Sequence, residues 1–529
     1  MEISPQIKYL IKRIEERSAV RERFRVGKNE EVISVDNIAS KLAALYEKLR
    51  NSVDYKEEHL IRRGAIERML RRQTHESFRK GNVARILIVE MVRAGYLPNN
   101  TLPIKIIDDV GRIIKKYTKL KSVCVNGNMP DIMSRIIELE ATEIEEYLFP
   151  PISANATADA FYLTVKDVID IKGAKSLTKE QKDVQIYVAC YRSLLRYDEP
   201  SLFYRMWLLN HPDWNDMDLS DDVIIEVAQN FDIYEQEISD IISNPLNWKI
   251  THKLRDLAIY FSLIKESIDK QPDLWTENNL TEESLKEQLS FLLNWKFKVE
   301  KKNIMRTVKR VIIYIILTKI ILAVCIELPY EIFILKDVNE LALFINIVFH
   351  PLLLYIVTLG IKFPKEDLRE QTIKGIIDIV EGNLESFKLR VVLRRKRSLF
   401  GAILIFIYFT IFIATFGGII WILKILKFNF VSGGLFLLFL SIVSYFGLRI
   451  RNRARRWRIT PKKTTVKEFL IDLITMPVVH TGQWISEKFS SINVFVFTLD
   501  FFIETPFQLI VEIFEGFIHF LKEKKEELD

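Results

Sequence analysis

The sequence predicts an all-α protein: a helical cytoplasmic N-terminal region, a four-helix transmembrane region made of two hairpins, and amphipathic C-terminal helices. Three observations predict this. Apolar residues concentrate after Val311, where four stretches reach or approach the roughly 20 apolar residues that a membrane-spanning helix needs. The first 300 residues carry apolar positions at helical spacing and no series of alternating strands. Lys and Arg gather at one end of each apolar stretch, as positively charged segments do when they are retained on the cytoplasmic side.

The charge balance of 76 Lys and Arg against 69 Asp and Glu leaves +7, which is modest for 529 residues and implies no nucleic-acid partner. Cys124, Cys190 and Cys325 are far apart, so neither a disulfide framework nor a CxxC metal knuckle is expected. Lys8, Lys12, Arg13, Glu15 and Glu16 interrupt any apolar core of a signal peptide, so the N-terminal region is expected to stay in the cytoplasm.

Residues 1–80 read as basic amphipathic helices. Ile3, Ile7, Leu10, Ile11 and Ile14 form one helical face, and Val35, Ile38, Leu42, Leu45 and Leu49 form a second, alternately three and four apart. Such stripes pack within a bundle or pair with a partner helix; the second is too short for a sustained coiled coil. Residues 81–300 read as an all-α region with a break near 150, at Pro150-Pro151. Thr178 with Gln181 has the form of a capping box, and acids follow the starts at Ser220 and Thr281, where the helix dipole favours them.

The transmembrane region, 301–448, has spans at about 308–328, 341–361, 399–423 and 430–448. Lys296 to Arg310 precede the first span, Lys388 to Arg397 precede the third, and Arg449 to Lys463 follow the fourth, while the opposite loops hold only Lys336, Lys424 and Lys427. Both termini are therefore expected on the cytoplasmic side. Between the hairpins, Ile373, Ile377, Val380, Leu384, Phe387 and Val391 form a regular seam, predicting an amphipathic helix over 366–397. Residues 449–529 read as a basic linker followed by an amphipathic tail. In the tail Asp500, Glu504, Gln508, Glu512, Glu515 and His519 line one stripe of an otherwise apolar surface, and four carboxylates in one span would cost about 2.5–3.5 kcal/mol each. The tail is therefore placed at the interface or on the cytoplasmic side.

Lys319 is the leading single candidate, because an ionisable group inside a span marks a functional site by default. A hairpin turning near Phe333 brings Lys319 to the depth of Asn346 and His350, predicting an intramembrane polar cluster; the structural alternative is interhelical glue or a snorkelling lysine. Arg394, Arg395, Lys396 and Arg397, with Arg449, Arg451, Arg453, Arg455, Arg456, Trp457 and Arg458, fit anionic lipid head groups, Trp457 acting as an interfacial anchor. No metal ligand set is expected: the tail carboxylates have i, i+4 spacing but read as a solvated face, and the acidic loop from Asp213 to Asp222 lacks the glycine and glutamate of a calcium loop. No cofactor is implied, and the chain lacks a phosphate-binding loop, a zinc HExxH, a nucleophile elbow and the kinase signatures. The balance leans away from an enzyme, although a membrane-associated enzyme without a recognisable motif stays open.

Trp484-Ile485-Ser486-Glu487-Lys488-Phe489, continuing through Ile492-Asn493-Val494-Phe495-Val496-Phe497 to Pro506-Phe507, resembles the end of multi-pass membrane proteins predicted from uncultured bacterial lineages. Val32-Ile33-Ser34-Val35-Asp36-Asn37-Ile38 is similar to the same group. The resemblance implies a bacterial inner membrane and no activity. On the sequence, the first expectation is a membrane-anchored interaction or scaffold protein, meeting lipids and a protein partner or a second copy through its amphipathic helices. The alternative is an oligomeric channel or transporter using Lys319, Asn346 and His350.

Overall fold

The computed structural model describes residues 1–16, 31–35, 47, 57–73, 82–124, 130–173, 177–276, 280–359, 366–392, 398–455 and 466–491. They are almost entirely helical and divide into two compact units: residues 1–280 with 378–393, and residues 281–377 with 394–502.

In the first unit α1 (Pro5–Glu15) buries Ile7 and Leu10, the stripe predicted from the sequence. There follow α2 (Glu58–Gln73), α3 (Val83–Arg93), α4 (Lys105–Cys124), α5 (Pro130–Leu148), α6 (Ile152–Val165), the short strand β1 (Ile169–Lys172) and α7 (Lys179–Leu194). Four more helices, α8 (Glu199–Asn210), α9 (Asp221–Gln229), α10 (Phe231–Ser243) and α11 (Pro245–Lys270), complete the series. Both halves of the Thr178–Gln181 capping box form. The core gathers apolar residues from α2 to α10, with Trp207 and Trp214 edge to face at 5.2 Å.

Helix α5 packs against α2, α4 and α8, and sends buried glutamates to cations on each of them. Lys116 Nζ lies 2.6 Å from Glu143, Arg62 2.8 Å from Glu145 and Arg205 2.7 Å from Glu146, while Lys121 pairs with Glu140. Burial raises the carboxyl groups of Glu140, Glu143 and Glu146 above their ordinary range, and that of Glu145 to about 7, against the opposing pull of these cations. A cavity of about 640 Å³ opens beside them, bordered by Arg13, Asp109, Glu143, Glu146, Asp159 and Arg205.

The second unit begins with α12 (Glu282–Leu322), 41 residues long, or about 60 Å at 1.5 Å per residue, twice the hydrocarbon thickness of a bilayer. Then come α13 (Glu340–Leu359), α14 (Glu366–Glu381, which runs on into the first unit), α15 (Ser398–Ile425), α16 (Phe430–Arg455) and α17 (Val466–Ser491). The α12 chain through Leu335, α13, α15 and α16 are each long and apolar enough to cross a membrane. Ile304, Val308 and Ile315 of α12 pack with Leu354 of α13 and with Val443 and Ile450 of α16, making a three-helix core. Most of the apolar stretch of α15 is exposed, Ile405, Phe406 and Trp421 among it, although Leu423 is buried.

Two stretches differ from the sequence expectation. The single amphipathic helix over 366–397 stops at Glu381, because Gly382 turns left-handed at φ +82° and frees the chain from the helix. The chain then makes a 3₁₀ turn (Leu384–Phe387) and a strand, β2 (Leu389–Val392), parallel to β1. The seam residues thus find cover without a continuous helix: Phe387 meets Tyr260 edge to face, Val391 is buried, and Ser4 donates its N–H to the Val380 carbonyl at 2.7 Å. The second stretch is α17, which the sequence reading assigns to a cytoplasmic or interfacial tail. It packs along α15 and α16, with Tyr408 3.2 Å from His480 and Thr415 donating to the Ile474 carbonyl, contacts at mid-length of the most apolar helix. Gly482 makes this possible, since a side-chain carbon there would run into the Ser441 carbonyl. The helix predicted after Asp36, the polar stripe from Asp500 to His519, and Arg394 to Arg397 lie outside the described residues.

Candidate functional site: a polar column between the apolar helices

Lys319 lies in the last turn of α12, near the middle of the apolar stretch that continues to Leu335, and is turned inward, 1% exposed. Its ammonium donates to Asn346 Oδ1 of α13 at 2.7 Å and sits 4.2 Å above the Phe439 ring of α16. Because an ammonium only donates, Asn346 must turn its oxygen toward Lys319 and its Nδ2 the other way. That nitrogen donates to Glu327 Oε1 at 2.7 Å and to the Ser432 carbonyl at 3.3 Å. His350, one turn on from Asn346, places Nδ1 3.1 Å from the Asn346 carbonyl and Nε2 3.0 Å from the Phe436 carbonyl, between the rings of Phe349, Phe436 and Phe439. The structure brings the three sequence candidates together, with Asn346 as the hub.

The column continues through residues that the sequence reading left out. Past Leu322 the helix widens into two π-turns, Ala323–Glu327 and Tyr330–Leu335. Pro329 stands between them and has no N–H for the Cys325 carbonyl, a local reason for the helix to lose its regular ladder there. Glu327 and Glu331 both remain inward, each 1% exposed. The Ser432 hydroxyl of α16 lies 3.4 Å from Glu327 Oε2 and 3.4 Å from Glu331 Oε1.

Two asparagines close the column at the hairpin turns. Asn339 caps α13 by accepting the Ala342 N–H at 3.1 Å, and its Nδ2 donates to the Leu426 and Lys427 carbonyls of the other hairpin turn. Asn429 accepts the Ser432 N–H at 2.8 Å and donates from Nδ2 to Glu331 Oε1 at 2.6 Å. Each uses its oxygen as a helix cap and its amino group as a tie, a double role that an ionised Asp, which only accepts, could not fill. Glu331 also accepts the Asn339 backbone N–H at 3.3 Å, so its carboxyl faces the positive ends of two helices.

Lys319, Asn346, Glu327, Ser432 and Glu331 thus form one hydrogen-bonded chain from mid-span to a hairpin end, every member at most 1% exposed. Of the basic residues expected to meet lipid, Arg449 and Arg451 stand on the last turns of α16, Arg449 exposed; Arg453 and Arg455 continue that helix, while Arg456, Trp457 and Arg458 lie outside the described residues. Among the described residues, no three His, Cys, Asp or Glu side chains converge as a metal site.

No protein-family model matches the chain, and no curated protein or solved structure matches it either. The four long apolar helices fit a membrane protein.

Proposed function

We propose that the protein spans a bacterial inner membrane four times, with both termini cytoplasmic, and that its membrane region binds and passes a small monovalent cation, H⁺ included. The observation that carries this reading is the sealed chain of ionisable and amide groups from Lys319 to Glu331. Buried charge among lipid-facing helices is costly, and interhelical glue needs only one or two polar residues; five in series, three of them ionisable, exceed that need. In this reading the mouth of the column lies at Glu331, Asn339 and Asn429, on the side of Lys336 and Lys427 and opposite the cytoplasmic basic clusters. Anionic head groups are the proposed partners of those clusters. Since four spans seldom enclose a pathway alone, the working form is an oligomer, for which the bare apolar face of α15 leaves room.

Reconstitution into liposomes tests this. Purified protein should dissipate an imposed cation or proton gradient, and Lys319→Leu should abolish the flux. Unchanged flux with improved folding in Lys319→Leu would assign the column to helix packing alone.

A second reading, a membrane-anchored interaction protein, is supported by the first unit, which holds more than half of the chain and includes residues 378–393 from between the second and third spans. Under that reading a partner or a second copy co-purifies after gentle solubilisation; its absence under all conditions would remove it.

A further inference from the structure

We propose that the column carries one exchangeable proton, seated on Glu327 and handed through the Ser432 hydroxyl to Glu331; this rests on the transport reading and names its cation. The argument is a count of hydrogens and charges. Ser432 Oγ stands 3.4 Å from a carboxyl oxygen of Glu327 and 3.4 Å from one of Glu331, yet a hydroxyl has a single hydrogen. Both contacts are hydrogen bonds only if one carboxyl is an acid that donates to Oγ while the hydroxyl donates to the other.

The donors decide which carboxyl is the acid. Glu331 accepts from Asn429 Nδ2 on Oε1 and from the Asn339 N–H on Oε2, so both its oxygens already act as acceptors, facing two helix N-termini. Glu327 accepts on Oε1 alone, from Asn346; its Oε2 faces only the Ser432 hydroxyl and is the vacant seat for a proton. The charges agree. With Glu327 neutral, the Lys319 ammonium is balanced by one carboxylate, Glu331, and the buried column has no net charge.

The other titratable group beside the column among the described residues is His350 of α13, while α16 presents Ser432, and Asn429 stands just before that helix. A second proton on His350 would also neutralise the column with both carboxyls ionised. His350 touches no carboxylate, however; its neighbours are aromatic rings and two backbone carbonyls, and it shares Phe439 with the Lys319 ammonium. A neutral ring donates its one N–H to one of those two carbonyls, and only an imidazolium would donate to both, so a wild type without a protonated-carboxyl band is the outcome that would move the proton to His350.

Transfer conserves every proton. Glu327 Oε2–H passes its proton to Ser432 Oγ as the hydroxyl gives its own to Glu331 Oε1. Glu331 is then the acid and releases the proton at the hairpin end, and the Glu327 carboxylate left behind is bridged to Lys319 through Asn346.

Infrared difference spectra of the full chain in lipid nanodiscs read this directly. At neutral pH the wild type should show one protonated-carboxyl band from the membrane region. Glu327→Gln and Glu331→Gln should each lose it, because the remaining glutamate then ionises against Lys319; Lys319→Met should double it. The wild-type band should coincide with that of Lys319→Met/Glu331→Gln, where only Glu327 can carry the proton. A wild type without the band, or a band that coincides with that of Lys319→Met/Glu327→Gln, overturns the assignment. Proton flux in liposomes without the band would discard this seat and keep the transport reading; the band without flux of any cation would keep the seat and discard transport.

Discussion

Replacing Asn346 by Leu removes the hub of the column while leaving a residue of similar size. The substitution deletes the bond from the Lys319 ammonium at 2.7 Å, the bond to Glu327 at 2.7 Å and the weaker one to the Ser432 carbonyl, at a site with no exposure. A hydrogen bond to a charged group contributes about 1.5–3 kcal/mol, and polar contacts between membrane helices average about 0.6 kcal/mol, because alternative partners exist in the membrane-unfolded state. Two principal bonds, one of them to a cation left without an acceptor, place the expected loss at about 2–4 kcal/mol. Reversible unfolding in mixed micelles, followed by tryptophan fluorescence, measures it. The double variant Lys319→Met/Asn346→Leu should recover at least about 1 kcal/mol, since the orphaned ammonium is gone. A loss below about 0.5 kcal/mol in the single variant, or strict additivity in the double, would refute the reasoning that the column is one coupled network.

The first unit makes its own predictions. Burial raises the Glu145 carboxyl from 4.5 to about 7, so its contribution to stability is full below the unfolded value near 4.5 and is lost as pH rises through about 7. Glu145→Gln, which can still accept from Arg62, should therefore flatten the pH dependence of thermal stability between those values, by up to about 3 kcal/mol; an unchanged profile would contradict this. Lys116→Met leaves Glu143 buried with only Tyr117 donating to it, and should cost about 3–5 kcal/mol in chemical denaturation. In the second unit Gly482→Leu should pry α17 from α16 and expose it to limited proteolysis, at a cost of about 1–3 kcal/mol. Gly417→Ala, with nothing within 4 Å, should behave as wild type.

The four apolar helices and the meeting of Lys319, Asn346 and His350 were legible because both follow from length and depth: a span fixes the rise, and a hairpin turn fixes which residues share a level. The rest of the column was not. Glu327 reads as the end of a span, since a regular helix with a carboxylate near its tip reaches the interface there. Only the π-turns around Pro329 keep Glu327 and Glu331 inward. Asn339 and Asn429 carry no sequence signal beyond that of a possible cap, and their second role exists only once the two hairpin turns adjoin. The glutamates of α5 look in sequence like a solvated face, because their cations, Arg62, Lys116, Lys121 and Arg205, come from three other helices, 19 to 83 residues away along the chain. The seam between the hairpins kept helical spacing past Gly382, but spacing does not register a left-handed turn.

The claim that the column opens away from the basic clusters is tested most directly by cysteine accessibility in intact cells of a bacterial host. Single cysteines would be placed at Lys336, Lys427 and Gly382 in a background free of Cys124, Cys190 and Cys325. An impermeant maleimide should label Lys336→Cys and Lys427→Cys from outside, and Gly382→Cys only after lysis. Labelling of Gly382→Cys in intact cells, with the two loop positions protected, would put the mouth of the column on the cytoplasmic side and contradict the account.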